Sequence, residues 1–522
     1  MTTVRATRLI QMLGVLAQAV YAAAAAPAAQ NPGGLGDFTV QSDIGSVSPP
    51  GNASYSAAKD TYTLTGAGAN TWYHVDDFHY LWKKMSGDVA LTAEIRFPAV
   101  TYQHPPDPHR KGILMFRQSL DSGGIYAAAA VHGSGMTALQ YRRERGANSE
   151  DIELNIDAPQ VVRIEKRGDV FTLYLSQQGE PLHPVGASIE LHLQAPFYVG
   201  LGVVSHDVQT VDQVEFSRVR VLALPAPTKG AARVRYSTLR TIQTEDQYRR
   251  AMVIRTGTAV MQSANWLPHS PDIYVYESGQ MLAIPYLDPA AGGAARMIDT
   301  GSLVDCSGNY GVSPDGRSLA VSCAQVHGGP HQVYVLPPGG GGTPRQVTHG
   351  AQSFFHAWSP DSMTIAFTRG RASKADIFTV PATGGEAQQL THDTINDGPD
   401  YSADGKFIYF DSARSGQLQI WRMRADGSAA EQITDDDSRN SSPHLSPDGK
   451  SLAFLAQPPG SDDAIGPASI RIVTLNDGLI RTLTQLQGDR DSFSMYGWGD
   501  DHHLAFVSYD LLPADSSGGG AR

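Results

Sequence analysis

Four stretches of the chain share one template: YGVSPDGRSLAVS at 310–322, HAWSPDSMTIAFT at 356–368, PDYSADGKFIYFD at 399–411 and PHLSPDGKSLAFL at 443–455. Their serines, Ser313, Ser359, Ser402 and Ser446, lie 46, 43 and 44 residues apart. A period of that length restricts the chain to repeat architectures, whose units stack because none buries a core alone. Pro presets a turn, Asp accepts nearby amide hydrogen bonds and Gly tolerates positive φ, so each copy reads as a hairpin. Behind each turn, pairs such as Leu319 and Val321, Ile365 and Phe367, Ile408 and Phe410, and Leu452 and Phe454 alternate as strands do. A second strand pair follows in QVYVLPPGGGGTPRQVT (332–348), ADIFTVPATGGEAQQLT (375–391) and LQIWRMRADGSAAEQIT (418–434). Four strands per ~40–45 residues is the pattern of a propeller blade.

Counting outward adds a degenerate unit over 263–299 and a last one that begins at MYGWGDDHHLAFVSYD (495–510) and stops after two strands. TLRTIQT (238–244) and RAMVIRT (250–256) can supply the missing pair, so the expectation is a six-bladed β-propeller over 236–511 closed by both chain ends. Closure removes edges that would otherwise template aggregation.

Before the repeats, 37–224 carries short strand-like runs without the period, among them VALTAEIRF (89–97), GILMFRQS (112–119), VFTLYLSQ (170–177) and FYVGLGVVS (197–205). Many short strands at intervals of about ten residues predict a β-sandwich, making the whole chain all-β. Residues 225–235 read as a Pro-, Ala- and Gly-rich linker and 512–522 as a flexible tail, while EDIELN (150–155) is expected in a loop.

Arg5 and Arg8 precede the apolar stretch 9–26 and Pro27, so 1–29 reads as an export signal cut between Ala22 and Ala29. No later run is long enough to span a bilayer, so no transmembrane anchor is expected after cleavage and the protein is expected to be periplasmic or secreted from a bacterium. The net charge of −12 argues against a nucleic-acid partner. The two cysteines, Cys306 and Cys323, sit symmetrically about the Pro314-Asp315 turn. An exported protein can bridge them as a disulfide; the other reading is a pair of free buried thiols.

Residues just ahead of each turn fall on the innermost strands, which line the channel, and four of them carry chemistry: His356, Asp397, Asp400 and His444. Histidines and carboxylates converging from several blades can bind a polar ligand, or, through His356 and His444, a divalent metal such as Ca or Mn. A polar rim satisfied by channel water is the other reading of the same residues. Trp72, Tyr73, His74, Tyr80, Trp82, Tyr102 and His104 are a candidate sugar-stacking surface on the sandwich, with core packing as the alternative.

DGPDYSADGKFIYFDSARSGQLQIWRMRADG (397–427), with HAWSPD (356–361) and PHLSPDGK (443–450), resembles the TolB-like (PD40 repeat) propeller proteins of bacterial envelopes. The order GDVALTAEIRF, KGILMFRQS, VVRIEKRGDVFTLYLS, FYVGLGVVSHD and VEFSRVRV resembles concanavalin A-like, DUF1349-type jelly rolls. These resemblances imply an exported binding or scaffold module for an envelope protein or glycan. The alternative is a metal-dependent carbohydrate-active enzyme like the oligogalacturonate lyases, whose related propellers hold manganese in a His-rich mouth. Similar propellers read Asn-Asp-His-Gly where this chain has GNYG (308–311), and Trp-Phe-Pro-His where it has SSPH (441–444). The chain has no Gly-x-Ser-x-Gly elbow, P-loop or dinucleotide fingerprint, and no carboxylate pair at the spacing of glucanase nucleophile motifs.

Overall fold

The computed structural model describes residues 34–514 except 100–104, 227–231, 245–249, 267–270, 287–293, 372–373, 393, 461–467, 487–496 and 501. The proposed export signal, Tyr102 and His104 therefore lie outside the described residues. Every regular element among the described residues is a β-strand. None is a helix long and apolar enough to cross a membrane.

Each SPDG-type turn is closed by the same three hydrogen bonds. The serine hydroxyl donates to the aspartate (Ser313–Asp315 and Ser359–Asp361 2.5 Å, Ser402–Asp404 and Ser446–Asp448 2.7 Å). The same hydroxyl accepts the amide five residues on, and the aspartate accepts the amide two residues on, as in Phe407 to Ser402 at 2.9 Å and Lys406 to Asp404 at 3.1 Å. Gly316, Gly405 and Gly449 take φ near +70°, and Ser362 holds the equivalent place at φ +62°. Its hydroxyl accepts the Asp315 amide at 3.1 Å, tying one turn to the next.

These hairpins build five four-stranded antiparallel sheets, beginning at Met261–Trp266, Tyr310–Val312, Ser353–Trp358, Asn396–Tyr401 and Arg439–Leu445. The first strands touch in succession, and Gly497–Trp498 packs between Arg439–Leu445 and Met261–Trp266. Asn265 Nδ2 donates to Tyr310 O at 2.9 Å across the remaining junction, so the strands surround a common axis.

The expected sixth blade does not stand as a separate sheet. Its strands, Arg250–Gly257, Arg233–Gln243, His503–Pro513 and Gly497–Trp498, are the last four of an eleven-stranded sheet. The cause is Glu150–Glu153, expected in a loop, which is a strand running parallel to Arg250–Gly257 with Asp151 opposite Arg250. Arg233–Gln243 starts inside the stretch expected as linker, and pairs along its length with His503–Pro513, which runs into the stretch expected as tail.

The other seven strands of that sheet, from Val40–Ile44 to Glu150–Glu153, pack against a seven-stranded sheet ordered from His183–Glu190 to Asn52–Ser56. Leu64, Leu91, Leu173 and Phe216 of one and Leu81, Leu114, Leu139 and Val199 of the other share one core. On the far face of the larger sheet, Asp76 joins two arginines. Its Oδ2 accepts from Arg117 at 2.7 Å and Arg142 at 2.8 Å, its Oδ1 from Arg142 at 2.8 Å, and all three side chains are fully buried.

Candidate functional site in the propeller channel

The inner strands are interrupted by β-bulges where the chemistry lies. Pairing slips between Phe355 and Ala357, between Asp397 and Asp400, and between Ser441 and His444. A bulge re-aims side chains that strict alternation would send to opposite faces. Gly398, at φ +59°, and Ser442, at φ +53°, supply the left-handed residues of two of them.

The four predicted residues form two pairs, each spanning neighbouring sheets. His356 Nε2 lies 3.1 Å from Asp397 Oδ1, with the imidazole 14% and the carboxylate 47% exposed. Thr368 donates to the same oxygen at 2.7 Å and the Gly398 amide at 2.9 Å. Burial opposes ionisation of Asp397, but the hydrogen bond and charge of His356, with Thr368 and Gly398, hold its pKa below the ordinary carboxylate value. His444 Nδ1 is 3.6 Å from Asp400 Oδ2, which accepts the Leu445 amide at 2.9 Å. His356 and His444 thus face different carboxylates. Among the described residues no group of three or more His, Cys, Asp or Glu is arranged to hold a metal ion.

One member of the cluster escaped sequence reasoning. Asp411 is 3% exposed and faces Asp397; its Oδ2 accepts the Ser442 amide at 2.9 Å. Desolvation and the Asp397 charge push its pKa up to about 7, against the Ser442 amide and Arg439. A signal existed. Nine residues after each repeat serine stand Ser322, Thr368, Asp411 and Leu455. The three polar ones reach the next sheet: Ser322 accepts the Phe355 amide at 2.8 Å, Thr368 donates to Asp397 and Asp411 receives Ser442.

The arrangement suits recognition better than nucleophilic chemistry. It offers a half-exposed carboxylate and imidazoles held by bonds between sheets, and its hydroxyl, Thr368, is buried and committed to Asp397. The aromatic candidates on the first domain serve mainly the interior. Tyr80 is buried and donates to Met115 O, Trp82 donates to Ser42 Oγ, and Trp72 lies under Arg250. Tyr73 is 46% exposed, and His74 beside it is also exposed. Cys306 and Cys323 are joined as a disulfide at the Tyr310–Cys323 hairpin.

Residues 352–497 match the family described as the TolB beta propeller domain (PD40). A solved structure, the putative TolB from Agrobacterium tumefaciens, is 31% identical over 53% of this chain and 99% of that one, with a TM-score of 0.49. The propeller belongs to the TolB-like family. A second TolB structure, from Acinetobacter baumannii, is 16% identical with a TM-score of 0.33, covering 67% of the TolB-like chain described here and 80% of its own. An uncharacterized protein of Agrobacterium fabrum is 34% identical over 132 residues, 25% of this chain. The match covers 43% of that relative's length.

Proposed function

We propose that this chain is an exported binding protein of the bacterial envelope whose TolB-like propeller receives a polypeptide segment at its channel. The observation that carries this reading is the strip of Asp397, His356, Asp400 and His444 along three adjacent inner strands, with Asp397 half exposed. Carboxylates fixed in this way are acceptors for peptide amides and for Lys or Arg side chains. A polypeptide is favoured over a glycan because, of the aromatic stacking candidates among the described residues, Trp72 and Tyr80 are buried and Trp82 is half-buried, which leaves Tyr73 and His74 exposed. The enzyme alternative lacks a donor set for its metal among the described residues.

Within this reading the last four strands of the long sheet are the sixth blade, closed by both ends of the propeller region, and the two packed sheets before it are a concanavalin A-like sandwich. Export rests on residues 1–29, and the mature protein is expected to start between Ala22 and Ala29.

A photo-crosslinking amino acid at position 441, introduced in producing cells, tests the proposal. The expected result is a discrete adduct with an envelope protein that is lost in Asp397→Asn/Asp400→Asn. Folded, exported protein that forms no adduct, or an adduct indifferent to both substitutions, overturns it.

A further inference from the structure

The first domain and the ring meet in a short backbone seam. Glu150–Glu153 runs parallel to Arg250–Gly257 over three residue pairs, Asp151 opposite Arg250, Ile152 opposite Ala251 and Glu153 opposite Met252. Asn155 Nδ2 extends the seam by donating to Ile254 O at 3.0 Å. Ile152, Ala251 and Val253 belong to the large apolar core.

The seam also holds a carboxylate with an unmet demand. Asp151 is 4% exposed, and its Oδ1 has no hydrogen-bond partner. An oxygen buried in this way is far costlier to keep ionised than protonated.

The charges that act on Asp151 come from three strands. Glu150 and Glu153 flank it on its own strand, Arg250 faces it from the ring, and Lys111 acts on it from Lys111–Arg117. Opposite it on Thr137–Arg142 stands Gln140, which does not titrate. Both cations have other company: Lys111 Nζ donates to Asn70 Oδ1 at 2.7 Å and Gln140 Oε1 at 3.3 Å, and the Arg250 guanidinium lies over Trp72. His132, paired with Lys111 across the sheet, is kept neutral by burial and by the Lys111 charge.

Burial therefore outweighs the cations. It lifts the Asp151 pKa to about 7 and raises that of Glu153, both against the pull of Arg250, and it draws Lys111 down to about 8. The closed seam holds acid protons that an opened one releases, so its stability is complete near pH 4 and falls as the pH rises to 7. Lys111 stays charged in both states across that window. Opening so short a ladder is a local event that leaves the two cores folded.

We propose that this seam is a pH-sensitive coupling between the two domains, firm in mildly acidic surroundings and loosened near neutrality by ionisation of Asp151. The coupling is independent of what the channel binds.

The test is amide hydrogen exchange on the purified full chain, with rates corrected for the intrinsic effect of pH. From pH 5 to pH 7.5, protection in 150–155 and 250–254 is expected to fall at least about tenfold more than in 161–167 and 319–323, one control strand from each domain. Asp151→Asn, checked for folding by a thermal melt, is expected to remove most of that excess. The wild-type profile decides by itself if the variant does not fold. Seam protection that follows the control strands, protection that rises toward pH 7.5, or a folded Asp151→Asn protein that keeps the full excess overturns the inference.

Discussion

Replacing Asp411 by Asn should stabilise the protein above neutral pH. The side chain is 3% exposed, and desolvation with the neighbouring Asp397 charge lifts its pKa to about 7. The folded state thus holds a proton that the unfolded chain has released, so stability falls as pH rises between about 4 and 7. Three pKa units at about 1.4 kcal/mol each give a ceiling of about 4 kcal/mol at high pH. Asn keeps an oxygen for the Ser442 amide, which Asp411 Oδ2 now accepts at 2.9 Å, and relieves the repulsion from Asp397. Because the neighbouring groups relax around a buried charge, the expected net gain at pH 8 is about 1–2 kcal/mol, or roughly 1–2 °C in Tm for a chain of this length. Calorimetric melts of both proteins at pH 4, 6 and 8 measure it, and the difference should shrink steadily as the pH falls. A variant less stable than the parent at pH 8, or stabilised equally at pH 4 and 8, refutes the electrostatic account.

Two further outcomes follow from buried groups. Asp76→Ala leaves Arg117 and Arg142 buried without their shared carboxylate, and should cost about 3–5 kcal/mol, read as an earlier transition in urea denaturation; replacing both arginines by Met in that background should restore part of the loss. Purified protein unfolded without reductant should leave Cys306 and Cys323 unalkylated by mass spectrometry, and Cys306→Ala should lower stability by up to about 3 kcal/mol.

The repeat was legible because its turn chemistry is local. Ser313, Asp315 and Gly316 satisfy one another within six residues of chain, and the other copies repeat the geometry. The site was legible in part. His356, Asp397, Asp400 and His444 do sit together on inner strands, but alternation could not predict their pairing, because bulges at 355–357, 397–400 and 441–444 redirect them. Asp411 stayed hidden because its role depends on the adjoining sheet. The EDIELN segment misled for a related reason. Its carboxylates look like loop composition, yet Ile152 is core and the strand is completed by a partner about a hundred residues later.

That late partner changes what counts as a domain boundary. Glu150–Glu153 and Arg250–Gly257 share backbone hydrogen bonds, so one sheet continues from the first half of the chain into the ring. A protease cut within 227–231 would sever the covalent connection and leave this seam intact. The halves should then co-purify as a nicked complex, and neither should be free to swing like a bead on a string. Any signal that shifts one ladder strand must be felt on both sides of the seam.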